Sequence, residues 1–140
     1  MPRTIISRPK ELWQPSLTYT YGTIVEGGKL IFLAGAIAVD KEGNTVGRGD
    51  LNAQIKQVVE NIKIVLKEAG ATLKDIVFKR IYCTDGDAYI ALAPSLRHDY
   101  PEVFGSSPTS YDAVPGTLVY VDKLGYDGGM IEIEVVAHIT

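Results

Sequence analysis

The 140-residue sequence predicts an α+β domain in the order β-β-α-β-α-β-β, a mixed sheet with two helices packed on one face. Three observations predict it. One long apolar stripe recurs at helical spacing in the middle of the chain. Two stretches, one after that stripe and one at the C-terminus, alternate apolar and polar residues with period two. Strand-like and helix-like segments mix without the strict alternation of a βαβ fold.

The elements follow in order. "GTIVEGGKLIFLAGAIAVDKEGN" reads as two strand-forming runs joined at Gly27-Gly28, a pair that hairpins favour, with a second turn at "DKEGN". Leu51, Ile55, Val58, Val59, Ile62, Val65, Leu66 and Ala69 then recur at three- and four-residue steps. Asp50 suits the N-cap of that helix and Gly70 its C-terminal stop. "DIVFKRIYCTD" alternates, placing Val77, Lys79, Ile81 and Cys83 on one side and Ile76, Phe78, Arg80 and Tyr82 on the other. "DAYIALAPSLRHDYPEVFG" is helical from Asp87, and Pro94 should kink or interrupt it. Beyond the loop "SSPTSYDAVPG" come the strands "TLVYVDKL" and "MIEIEVVAHI". In the second, Ile131, Ile133 and Val135 share one face and Glu132 and Glu134 the other.

The length fits one domain spanning residues 1–140, with 1–16 as an N-terminal extension or arm. Such a chain buries roughly 68–70% of the surface exposed when unfolded, enough for a core without staples. Its net charge of −3, with no run of more than two Lys or Arg residues, gives no basic face for nucleic acid. The lone Cys83 excludes an internal disulfide and a multi-cysteine metal site. His98, with Asp99 beside it, and His138 lack metal-ligand spacing, so no metal is expected. There is no apolar run of the ~20 residues a membrane helix needs, and no signal-peptide pattern at the start; a reducing cytoplasm is the expected setting. Cys83 reads as a small buried hydrophobe, and neither a GxSxG elbow nor a phosphate loop is present. Eight tyrosines, Tyr19, Tyr21, Tyr82, Tyr89, Tyr100, Tyr111, Tyr120 and Tyr126, stand against three phenylalanines. That excess suits half-buried sheet positions or a small-ligand pocket.

"LIFLAGAIAVDKEG", "LNAQIKQVVENIKIVLKEAGATLKDIVFKRIYCTD", "YPEVFG" and "LVYVDKLGYDGGMIEIEVVA" resemble the RidA family, also called YjgF or L-PSP endoribonuclease, from about Tyr21 to Ala137. The resemblance implies a chorismate-mutase-like fold, a homotrimer around an inner barrel, and three small-molecule clefts between subunits. It further implies hydrolysis of reactive enamines and imines, such as 2-aminoacrylate, to 2-keto acids and ammonia, without metal or organic cofactor. Some members have been described as ribonucleases or translation inhibitors.

Residue by residue, the resemblance places Glu132 as the cleft carboxylate and Tyr21 and Gly35 in the pocket, the family's Ser-Gly having become Ala34-Gly35. It also marks two departures. The family's substrate-clamping arginine, which grips a carboxylate bidentately, is replaced by Gly116 in Val114-Pro115-Gly116-Thr117, and a pocket asparagine by Ala93. Arg97, one turn beyond Ala93, is a candidate replacement cation; Lys123 and Arg80 are weaker ones. A carboxylate with a raised pKa could hold water against the C=N carbon and exchange protons with it, and glycine at 35 lets a backbone N–H approach a ligand. Two functions remain. One is an enamine or imine hydrolase acting on something other than simple 2-imino acids, for instance an aminomuconate-like intermediate. The other is a non-catalytic trimer binding a small molecule or a protein. A ribonuclease has no support in the acidic balance.

Overall fold

The computed structural model describes residues 3–6, 9–14, 20–107 and 112–140. Tyr19, Tyr111 and parts of the 1–16 segment therefore lie outside the described residues. Seven strands are described: β1 (Arg3–Ile6), β2 (Gly22–Val25), β3 (Lys29–Phe32), β4 (Ala36–Ile37), β5 (Ile76–Cys83), β6 (Gly116–Tyr120) and β7 (Ile131–Ile139). The helices are α1 (Leu51–Glu68), α2 (Gly86–Ala91), α3 (Ala93–Asp99) and α4 (Pro101–Phe104).

The main sheet runs β3-β7-β5-β6, with β4 also pairing to β7. It is mixed, as expected: β5 and β6 are parallel, and the β7 pairings are antiparallel. The period-two pattern survives intact in β7, where Ile131, Ile133 and Val135 are buried and Glu132 and Glu134 are half-buried. Those three residues pack with Ile55, Val58, Ile62 and Leu66 of α1 into one core.

α1 forms where its stripe predicts. The Asp50 side chain accepts from Ala53 N at 3.1 Å, and the chain leaves the helix through Gly70 at φ 77°. Gln54, fully buried on α1, donates to Gly128 O at 2.9 Å and accepts from Met130 N at 2.8 Å. It ties the start of the helix to the turn that launches β7. The second helical region breaks into three. Pro94 sits in the first turn of α3 and Pro101 in that of α4, where a missing N–H costs nothing but ends the preceding segment.

One expectation fails. Gly27 and Gly28 do turn the chain, at φ 63° and 65°, but the runs they join do not form a hairpin. β2 pairs antiparallel with β1 in a separate two-stranded sheet, and β3 pairs with β7. The N-terminal segment supplies the strand that β2 needs, and the long β7 offers β3 a better-buried partner.

Candidate functional site

Glu132 stands on β7 opposite Ile37 of β4 and Tyr82 of β5. Two side chains fix this corner. Asn61 of α1 donates to Ile37 O and Val39 O, at 2.9 and 3.0 Å. Tyr126 Oη donates to Ile131 O at 2.5 Å and accepts from Ala38 N at 3.2 Å, fastening the chain just after β4 beside the first residue of β7. Gly35 then passes so close that a Cβ built on it would lie 2.1 Å from Glu132 Oε2. A side chain at 35 would displace the carboxylate from this position.

Electrostatics separate the two glutamates. Burial, and then the charge of Glu134, push the Glu132 carboxyl above its ordinary range. No Lys or Arg forms an ion pair with it among the described residues. Glu134 is instead held below that range, first by the hydrogen bond from Arg80. Arg80 Nη1 lies 2.5 Å from Glu134 Oε1, and Tyr82 Oη donates to the same oxygen at 3.0 Å. Arg80 is thus committed to Glu134.

A second group of expected residues gathers elsewhere. Tyr21 and Gly116 line one cleft with Thr20, Val77, Phe78 and Pro115. Tyr21 Oη donates to Trp13 O at 2.6 Å, leaving its ring along the wall. Gly116 pairs with Lys79 and Glu132 with Tyr82, so β5 separates them. Two strand spacings and three residues of rise place their backbones roughly 14 Å apart. Within one chain the two groups therefore stay apart and do not form a single pocket.

Neither departure candidate joins these groups. Ala93 opens α3, and Arg97, later in the same helix, makes no ion pair among the described residues and does not line the Tyr21–Gly116 cleft. Lys123 is exposed in the loop after β6. His98 is exposed beside Asp99, while His138 is buried with Nε2 against Gly27 O at 2.6 Å. No cluster of three or more His, Cys, Asp or Glu suited to a metal occurs among the described residues.

The residue that sequence reading passed over is Lys79. It is only 9% exposed, and its Nζ donates to the carbonyl of Val114. The signal was its place in the alternating β5 pattern, on the same side as Val77, Ile81 and Cys83.

Comparison with known proteins places this geometry. The model of the family described as Endoribonuclease L-PSP matches residues 13–139. The chain belongs to the RidA/YjgF/L-PSP family. A RutC family protein of Pyrococcus abyssi is 35% identical over 118 residues, covering 84% of this chain and 85% of the relative. The crystal structure of YyfB, a Rid-family protein of unknown function from Yersinia pestis, superposes with a TM-score of 0.80 at 28% identity, covering 99% of this chain and all of that one. The Escherichia coli YjgF gene product gives 0.62 at 26%, covering 87% and 88%. The architecture is the chorismate-mutase-like fold of this family. No helix among the described residues is long and apolar enough to cross a membrane.

Proposed function

We propose that this Rid-family chain hydrolyses an enamine or imine, with Glu132 as the proton-transferring group, in clefts formed between copies of itself. The observation that carries this reading is the Glu132–Gly35 contact. It combines a half-buried carboxylate with a raised pKa, no cation neutralising it, and a bare backbone against it. Such a group can hold a water molecule and take its proton as the oxygen adds to the C=N carbon. An enamine first becomes the imine by gaining a proton on its β-carbon and losing one from nitrogen. After water adds, the proton held by the carboxylate passes to nitrogen, and the carbinolamine gives up its hydroxyl proton as it collapses to a carbonyl and ammonia.

The separation of the two groups supports assembly. A homotrimer with the Tyr21–Gly116 cleft of one copy facing the Gly35–Glu132 corner of the next would complete each site. Exposed Phe32 and Leu30 on β3 give the sheet an apolar surface to bury in such contacts. Gly116 removes the arginine fork, so the substrate is a conjugated, differently anchored enamine of the aminomuconate class in preference to a simple 2-imino acid. A cytoplasmic setting fits the buried, reduced Cys83.

The test is ammonia release from freshly generated 2-iminobutyrate and from an aminomuconate-type enamine, with wild type and Glu132→Gln. Faster turnover of the second substrate, abolished by the substitution, is expected. Acceleration of neither substrate would leave the same clefts as ligand-binding sites. That second reading is favoured by one observation, the absence of any side chain at position 116.

A further inference from the structure

A lysine with almost no exposure needs a counter-ion, because an unpaired ammonium out of water is among the costliest groups a fold can hold. Lys79 has none. Its Nζ reaches one neutral acceptor, the Val114 carbonyl, and lies 6.0 Å from the centre of the Phe104 ring. The described residues set beside it on neighbouring elements are uncharged. β6 presents Gly116, β7 presents Val135, and α4 presents Phe104. The carboxylates on or near these elements are turned elsewhere. Glu134 pairs with Arg80, Glu102 lines a groove with Lys63 and Lys74, and Asp112 accepts from Ser106. Lys79 takes part in no ion pair among the described residues.

Its position gives the missing charge a meaning. A Cβ on Gly116 would lie 2.9 Å from Lys79 Cγ and 1.8 Å from Lys79 O. The lysine stem thus occupies the space into which a side chain at 116 would begin to grow. Gly116 and Pro115 line the Tyr21 cleft, and the carbonyl holding Nζ belongs to the adjoining Val114. The ammonium is therefore bonded to the residue that precedes the Pro115–Gly116 wall, and the low dielectric of a buried site lets a charge act over a longer distance than in water.

We propose that Lys79 sets the specificity of the Tyr21–Gly116 cleft by supplying its positive charge, and that the anionic end of the ligand, a carboxylate, is the counter-ion the lysine lacks. This rests on reading that cleft as half of the ligand site, and not on turnover. Lys79 acts as a point charge where the family uses a planar fork, so it selects for charge more than for carboxylate geometry.

The experiment uses the full chain, with pyruvate as the carboxylate probe and pyruvamide as its neutral counterpart, titrated by NMR at pH 7 and pH 9. With a Lys79 pKa of about 8, the charged fraction falls from roughly 0.9 to 0.1 across this range, so pyruvate binding should weaken about tenfold while pyruvamide binding stays level. Lys79→Met should lose pyruvate binding at pH 7 and keep pyruvamide binding. Lys79→Arg should bind pyruvate equally at both pH values. Because any substitution can disturb folding, the wild-type Lys79 pKa is also followed with labelled lysine, and saturating pyruvate should raise it. The proposal is overturned by pyruvate that fails to bind, by binding independent of pH, or by an unchanged Lys79 pKa. A chain that hydrolyses an enamine through Glu132 but gives any of those results keeps the proposed function and loses this one. Lys79-dependent binding without turnover has the opposite meaning.

Discussion

Replacing Lys79 by Met should make the protein more stable at neutral pH. Burial lowers the Lys79 pKa from 10.5 to about 8. Between those values the unfolded chain holds the proton and the native chain does not, so stability rises with pH across that window and the full penalty is present below pH 8. At about 1.4 kcal/mol per pH unit, the charged lysine costs the native state about 3 kcal/mol at pH 7. Methionine is nearly isosteric and removes that penalty, but it leaves the Val114 carbonyl without its donor, a loss of about 1 kcal/mol. The net expectation is a gain of about 2 kcal/mol at pH 7, vanishing or slightly reversed by pH 10. Buried tyrosines confuse a single curve, because burial raises the Tyr89 pKa and native stability falls as pH climbs past the ordinary tyrosine value. The difference between wild type and variant cancels that effect. Urea unfolding of both proteins at pH 7 and pH 10, at one fixed chain concentration, measures it. If Lys79→Met is destabilised at pH 7, or if the difference is the same at both pH values, the lysine is not an uncompensated buried charge.

Three further outcomes follow from the same geometry. Gly35→Ala places its Cβ against the Glu132 carboxylate, the movable end of a side chain, so unfolding should change by less than about 1 kcal/mol while any Glu132-dependent turnover falls at least tenfold. The raised Glu132 pKa puts the acidic limb of kcat/KM above the ordinary glutamate range, since activity needs the deprotonated base and is lost as pH falls through that value; a limb near pH 4 contradicts the assignment. Gln54→Leu takes the side-chain partner from Gly128 O and Met130 N at the turn that launches β7, and urea unfolding should show a loss of about 1–3 kcal/mol.

What the sequence made legible divides along physical lines. α1 and the faces of β5 and β7 were readable because amphipathic periodicity is local, written within a dozen residues. The β2–β3 hairpin misled because a glycine turn reports only that the chain reverses. Which strands then pair depends on what else competes, here β1 for β2 and β7 for β3. Glu132 and Glu134 are equivalent by alternation. The family resemblance singled out Glu132, and Arg80 across the ladder explains physically why Glu134 is occupied. Lys79 was visible on the buried face of β5, but a lysine there contradicts the composition of cores, and only the packing around Gly116 shows it enclosed. Tyr126 lies in a loop whose sequence carries no sign that its hydroxyl closes the Glu132 corner.

Position 116 reads in one dimension as a loss, an arginine gone and nothing in its place. On the reading proposed above it is an exchange, because in three dimensions the lysine stem lies against the glycine. The two positions should then be energetically coupled, and a double-mutant cycle measures the coupling. Gly116→Ala drives a Cβ toward both Lys79 Cγ and the Lys79 carbonyl, and the backbone contact forces β6 to shift, at a cost of about 2 kcal/mol or more. Lys79→Ala removes the side-chain contact and leaves the carbonyl, so it should relieve part of that cost but not all of it. A coupling of about 0.5–2 kcal/mol is expected between them. Strict additivity would mean that the stem does not hold the space of the absent side chain, and that glycine stands at 116 only because β6 crowds the Lys79 carbonyl. In that event Lys79 and the lost arginine are separate matters, and restoring a cation to the cleft would require moving the strand itself.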